Sequence, residues 1–275
     1  MKKILVLTDF SECADKATDT AIKLAKKNDA EILFLHWKTV PFNWVQLSDF
    51  DAKMYPDVTK EVRNVTSELN ALVNRAADQN VKATHNIAFN DDGDSVLNQI
   101  HTHDIDFVVM GSHGASGVKE LFIGSNAQKV VRHSDVPVLI VKNALDQFED
   151  QQITYLSDFE PEIFPAFEKM MEFVEAIDAR IDLIYINTPD VFEETWEIKE
   201  RMEEFINRAG NHLAFVEIVD ASTFEKGVEI YCDMRDSDIV AMATHGRKGL
   251  ARVILGSLTE KVVNHLDLSV LSVHV

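Results

Sequence analysis

Asp106-Phe107-Val108-Val109-Met110-Gly111-Ser112-His113-Gly114 returns 132 positions later as Asp238-Ile239-Val240-Ala241-Met242-Ala243-Thr244-His245-Gly246. In each copy four apolar residues run without alternation and stop at a small residue. Such a run reads as a strand covered on both faces, the pattern of a parallel sheet. Gly124-Ser125 returns as Gly256-Ser257 at the same offset. Nearer the N-terminus the offset is 149: Asp9-Phe10 returns as Asp158-Phe159, and Asp29–Leu35 as Asp178–Ile184. A period of this size marks a duplicated domain rather than a solenoid. The two offsets differ by 17 residues, so the first half carries an insertion between Lys38 and Asp104. Its candidate is Pro41 to Pro56, whose Phe42, Trp44, Phe50 and Tyr55 suit core or interface packing better than a partner surface. The expected domains are residues 1–145 and 151–275, joined in the polar acidic stretch from Asn143 to Gln152.

Within each half strands alternate with helices. In the first, apolar runs at Ile4–Leu7, Ile32–Trp37, Ala83–Ile87, Phe107–Met110 and Val138–Val141 are expected strands. The spacing of Ala17, Ala21, Leu24 and Ala25 predicts a helix over Ala14–Lys27, with further helices at Val58–Gln79, Ser95–His101 and Ala127–Arg132. In the second, strands are expected at Thr154–Leu156, Ile181–Ile186, Leu213–Ile218, Ile239–Met242 and Val270–Val275. Helices are expected at Pro165–Ala176, Phe192–Ala209, Phe224–Met234 and Leu258–Asn264. The fold class is therefore α/β, two doubly wound open parallel sheets in tandem.

Ligands of such sheets sit beyond the carboxyl ends of the strands, where the strand order reverses. Thr8-Asp9 and Gly111–Gly114 occupy those ends. The run Gly111-x2-Gly114-x9-Gly124-Ser125 then leads into Asn126–Arg132. Gly111 permits close approach to the backbone, and Gly114 permits a left-handed turn. Gly124, Ser125 and Asn126 offer free amides at a helix N-terminus, where the dipole attracts phosphate oxygens. Ser125 adds a hydroxyl donor or caps the helix. Asp9 offers a carboxylate to a sugar or base. A glycine-rich loop with no ligand remains the alternative reading.

The motif G-x2-G-x9-G-S after V-V-M-G-S-H-G resembles the ATP-binding motif of the universal stress protein family. The opening I-L-V-L-T-D-F-S and the close D-V-P-V-L-I-V-K resemble that family too, over essentially the whole chain and twice. The resemblance implies an adenine nucleotide alpha hydrolase-like sheet of order 3-2-1-4-5, with ATP held by Thr8, Asp9, Gly111, His113, Gly114, Gly124, Ser125 and Asn126, and Mg2+ carried on the phosphates. Backbone groups of Leu35 or His36 would lie near the adenine. In the second half Asp158, Gly246, Gly256 and Ser257 keep the pattern, but Ala243 replaces its first glycine. The resemblance also implies an intrachain pseudo-dimer in which Val138–Val141 and Val270–Val275 pair. Two chains could associate further as a homodimer.

Composition bounds the rest. The 275 residues carry a net charge of −19. That field repels phosphate backbones and anionic lipid heads, so nucleic acid and membrane are poor partners. No apolar run reaches the about 18 residues of a membrane span. Cys13 and Cys232 read as buried free thiols of a cytoplasmic protein. There is no G-x4-G-K-[ST] of a P-loop hydrolase and no G-x-G-x-x-G after the first strand. His101-x-His103 with Asp104 lacks a partner cluster and reads as a solvated turn. His113 and His245 suit loop packing or a ligand. The expected function is an ATP-binding sensor or adaptor of stress, with a slow ATPase or self-phosphorylating protein, and a ligand-free interaction module, as alternatives.

Overall fold

A computed structural model describes residues 1–38, 55–89, 94–112, 125–145, 148, 151–210, 215–244 and 266–274; for 94, 95, 125–128 and 244 it describes the backbone alone. The strands are β1 (Lys3–Thr8), β2 (Glu31–Lys38), β3 (Ala83–Phe89), β4 (Phe107–Gly111), β5 (Val138–Val141), β6 (Gln152–Leu156), β7 (Arg180–Asn187), β8 (Phe215–Asp220), β9 (Ile239–Thr244) and β10 (Ser269–His274). The helices are α1 (Glu12–Asn28), α2 (Pro56–Asp78), α3 (Asp94–Thr102), α4 (Ser125–His133), α5 (Phe164–Ile177), α6 (Thr195–Ala209) and α7 (Phe224–Arg235).

All ten strands form one sheet of order β3-β2-β1-β4-β5-β10-β9-β6-β7-β8. Each half is parallel and runs 3-2-1-4-5 from its outer edge to the centre, as expected. The halves join through β5 and β10, which pair antiparallel with Leu271 opposite Leu139. The expected pairing across the pseudo-dimer is thus made within one chain. Buried Lys142 fastens this seam by donating to the Leu266 carbonyl, and burial pushes its pKa below the usual lysine value. The Asn143 amide donates to Asp267 across the same seam at 3.0 Å.

Successive strand residues point to opposite faces. Ile4, Val6, Phe34, Phe107 and Val109 face one core, which α1, α2, α5 and α6 cover. Leu5, Leu33, Leu35, Val108 and Met110 face the other, under α3, α4 and α7. The first core is continuous across the two halves: Phe107 on β4 stacks on Phe173 of α5, with centroids 5.0 Å apart and planes within 5°.

Aspartates close four helices in the left-handed region: Asp29 after α1, Asp104 after α3, Asp178 after α5 and Asp236 after α7. They fall at the two offsets read from the sequence, so the duplication reaches helix termini. A short polar side chain tolerates positive φ better than a branched one. Asp106 and Asp238 match likewise, accepting the amides of Lys2 and Gln152 at the feet of β1 and β6.

Several elements differ from expectation. Helix α6 starts at Thr195 rather than Phe192, because Pro189–Val191 form a 3-10 turn and Phe192 is extended. The extra length of the first half is shared. Helix α2 has 23 residues against 15 in α6, so eight residues of the extra length (23 − 15) fall in that helix. Phe42, Trp44 and Phe50 lie outside the described residues; Tyr55, expected in a core or interface, is 41% exposed. Cys232 is buried as expected, but Cys13 is half-exposed, because it sits in the first turn of α1 at the rim of the sheet. The expected helix Leu258–Asn264 lies outside the described residues. No helix among the described residues is long and apolar enough to cross a membrane.

Candidate functional site

Strand β1 ends in a tight turn built by its own side chains. Phe10 adopts a φ of 63°, unusual for a residue with a Cβ. Its amide donates to Thr8 Oγ1 at 3.1 Å, and the Ser11 amide donates to Asp9 Oδ1 at 3.1 Å. Ser11 then caps α1, its Oγ accepting the Ala14 amide at 3.2 Å. The second half repeats the device. Phe159 has a φ of 60°, and Ser157 and Asp158 accept the amides of Phe159 and Glu160. Asp9 and Asp158 therefore each shape the end of a central strand.

Strand β2 lies beside β1 with His36 opposite Thr8. The Nδ1 of His36 is 2.9 Å from the Thr8 carbonyl. A carbonyl only accepts, so Nδ1 bears the proton and Nε2 the lone pair. Burial outweighs the hydrogen bond to Thr8 and holds the imidazole pKa below its ordinary 6.5, so the ring is neutral at pH 7. Phe10 stacks on this ring with centroids 4.8 Å apart. The Leu35 side chain is buried in the second core, which leaves its backbone as the part near the strand's end.

Strand β4 flanks β1 on the other side. At Gly111 a Cβ would stand 2.8 Å from the Cys13 carbonyl carbon and 2.9 Å from its oxygen. The first turn of α1 occupies that space, so helix packing alone requires glycine there. The Ser112 amide is paired with the Val141 carbonyl at 3.2 Å. His113, Gly114 and Gly124 lie outside the described residues. Helix α4 begins at Ser125, so Ser125 and Asn126 form its first turn, and their side chains also lie outside the description. A crossover from β4 to β5 puts that N-terminus at the carboxyl edge of the sheet. Thr8, Asp9, Leu35, His36 and Gly111 thus gather at the ends of three adjacent strands.

The second half is built differently at the equivalent place. Tyr185, 149 residues after His36, donates its hydroxyl to Glu193 Oε1 at 2.9 Å. Arg201 of α6 donates through Nη1 to Glu193 Oε2 at 2.6 Å and through Nε to the Asp158 carbonyl at 3.3 Å. Its Nε also faces Glu160 at 3.7 Å. Burial, with Asp158 nearby, holds the Glu160 carboxyl above its usual pKa despite Arg201. Ala243 is buried where the first half has Gly111, and the helix opposite opens with a 3-10 turn at Pro161–Ile163. Gly246, Gly256 and Ser257, like His245, lie outside the described residues. Tyr185 was accessible from the repeat offset; Glu193 and Arg201 have no marked counterpart and emerge only from the packing. An open cleft of about 610 Å³ lies farther out, beyond β7 and β8, lined by Asn187, Thr188, Pro189, Phe192, Asp220, Ala221 and Ser222.

Elsewhere, exposed His101 lies 3.7 Å from Asp135. Among the described residues no three His, Cys, Asp or Glu side chains are grouped to hold a metal.

The family model described as "Universal stress protein family" matches residues 1–142 and again 151–274. Universal stress protein YxiE of Bacillus subtilis is 35% identical over 147 residues, spanning 51% of this chain and 98% of its own length. Universal stress protein MJ0531 of Methanocaldococcus jannaschii is 27% identical over 149 residues, spanning 51% of this chain and 82% of its own. A universal stress protein structure from Archaeoglobus fulgidus superposes with a TM-score of 0.72 at 22% identity, over 99% of this chain and 98% of that one, which shows a common tandem fold.

Proposed function

The chain belongs to the universal stress protein family, and on that footing we propose that it is a cytoplasmic ATP-binding stress-response protein working as a sensor or adaptor. One observation carries the reading. The run from Gly111 to Ser125 joins the end of a central strand to the first turn of α4, at the switch in strand order. Amides and helix dipole at such a junction favour phosphate oxygens. Thr8, Asp9, His36 and the backbone of Leu35 line the neighbouring strand ends, where the sugar and base would lie.

A triphosphate must enter against a net charge of −19. Mg2+ bound to the phosphates would lower that repulsion, and in this reading it arrives with the nucleotide rather than on protein ligands. The reading is one of binding rather than turnover.

Calorimetric titration with Mg·ATP tests it. Saturable binding is expected for the wild type, weakened tenfold or more in Gly114→Val, whose branched side chain disfavours a left-handed turn. No binding by the wild type, or equal binding by the variant, overturns the site. Steady-state phosphate release that Ser125→Ala abolishes would instead establish a slow ATPase.

A further inference from the structure

The two halves share a fold and the turn that ends the first strand, yet their mouths differ in what already fills them. Among the described residues of the first half, the end of β1 faces the neutral imidazole of His36, and 17 residues, 39–55, separate β2 from α2. In the second half the link from β7 to α6 has only seven residues, 188–194, and is tied down. The Glu193 amide donates to Asn187 Oδ1 at 3.3 Å. From there both Glu193 carboxylate oxygens are used, one by the Tyr185 hydroxyl and one by Arg201. Arg201 in turn spans to the carbonyl of Asp158, the counterpart of Asp9, and lies 5.9 Å from the centre of the Tyr185 ring.

Resting on the nucleotide reading above, we propose that this Tyr185–Glu193–Arg201 latch closes the second mouth, so that a whole chain holds one nucleotide, in its first half. Two physical effects act together. The latch places a guanidinium, a phenol and a carboxylate across the strand end where a base and sugar would lie in the first half. Among the described residues it also sets three carboxylates, Asp158, Glu160 and Glu193, around a single cation. That net negative charge opposes a triphosphate. Two nitrogens of Arg201 are committed to Glu193 and the Asp158 carbonyl, and the third, Nη2, is buried, so the guanidinium is held facing the latch rather than presented to a ligand. The second half becomes a fixed partner of the first rather than a second receptor.

Equilibrium dialysis of the full chain against labelled Mg·ATP counts the sites. One equivalent is expected, falling to none in Gly114→Val. Two equivalents in the wild type, or one that persists in Gly114→Val, overturn the inference and leave nucleotide binding intact. No equivalents in the wild type remove the nucleotide reading and this inference with it. Glu193→Ala/Arg201→Ala removes the latch as a neutral pair and is expected to admit a second, weaker equivalent. A double variant with a native circular dichroism spectrum and a cooperative melt that still binds one overturns the role given to the latch. If that variant does not fold, the wild-type and Gly114→Val counts decide alone.

Discussion

Gly111 and Cys13 are locked together: the carbonyl oxygen of Cys13 stands 2.9 Å from where a Cβ on Gly111 would be. Backbone rather than a flexible side chain fills the space, so a methyl can enter only if α1 moves. Gly111→Ala is expected to cost about 2 kcal/mol through overpacking. Ala243→Gly, at the matching place in the second half, removes a buried methyl and is expected to cost about 1 kcal/mol. Urea unfolding of the two variants checks the order; a Gly111→Ala protein as stable as the wild type would show that α1 yields freely.

The stack of Phe107 on Phe173 makes a prediction about cooperativity. Both rings are almost fully buried, and they belong to different halves. Phe173→Ala is expected to lower stability by about 3–4 kcal/mol through the cavity it leaves. Because the pair bridges the halves, unfolding by circular dichroism should broaden or split where the wild type gives one transition. A single sharp transition in the variant would mean that the β5–β10 seam alone couples them.

Asp182 is fully buried on β7, where its counterpart in the first half is Leu33. One carboxylate oxygen receives Arg235 Nε at 2.9 Å and the Tyr231 hydroxyl at 3.3 Å, while the other has no hydrogen-bond partner. Arg235→Met therefore leaves a buried charge without its cation and is expected to cost about 3 kcal/mol. Asp182→Leu/Arg235→Met restores the apolar layer of the first half and is expected to recover most of that loss. Thermal melts of both variants measure the difference, and a double variant no better than the single one refutes the account.

His36 predicts a pH dependence. Its pKa is lower in the folded chain than its ordinary 6.5, chiefly through burial. Below pH 6.5 the unfolded chain takes up the proton first, so acidification through the window beneath 6.5 favours unfolding. Above 6.5 both states are neutral and the effect vanishes. The fall in melting temperature between pH 7 and 5.5 should be smaller in His36→Asn, whose amide still donates to Thr8. Equal slopes for wild type and variant would remove His36 as a contributor.

Much of the architecture was legible in the residues themselves. Unbroken apolar runs such as Phe107–Met110 require cover on both faces, and that requirement leads to a parallel doubly wound sheet. Repeats such as Asp9-Phe10 and Asp158-Phe159 reveal the duplication because a duplicated fold needs the same turn at the same strand end. The motif from Gly111 to Ser125 is legible for a related reason, since few residue types allow tight turns and bare amides.

What only the tertiary structure decided lies where distant segments meet. The sequence set the strand periodicity, the two halves and the glycine positions, all of which depend on neighbours along the chain. Packing decided that Gly111 yields its space to Cys13, that Phe107 meets Phe173, and that Arg201 meets both Asp158 and Glu193. Arg201 and Asp158 are 43 residues apart in the chain, and no local pattern marks their meeting. It arises because burying the apolar face of α6 against the sheet fixes where Arg201 must point.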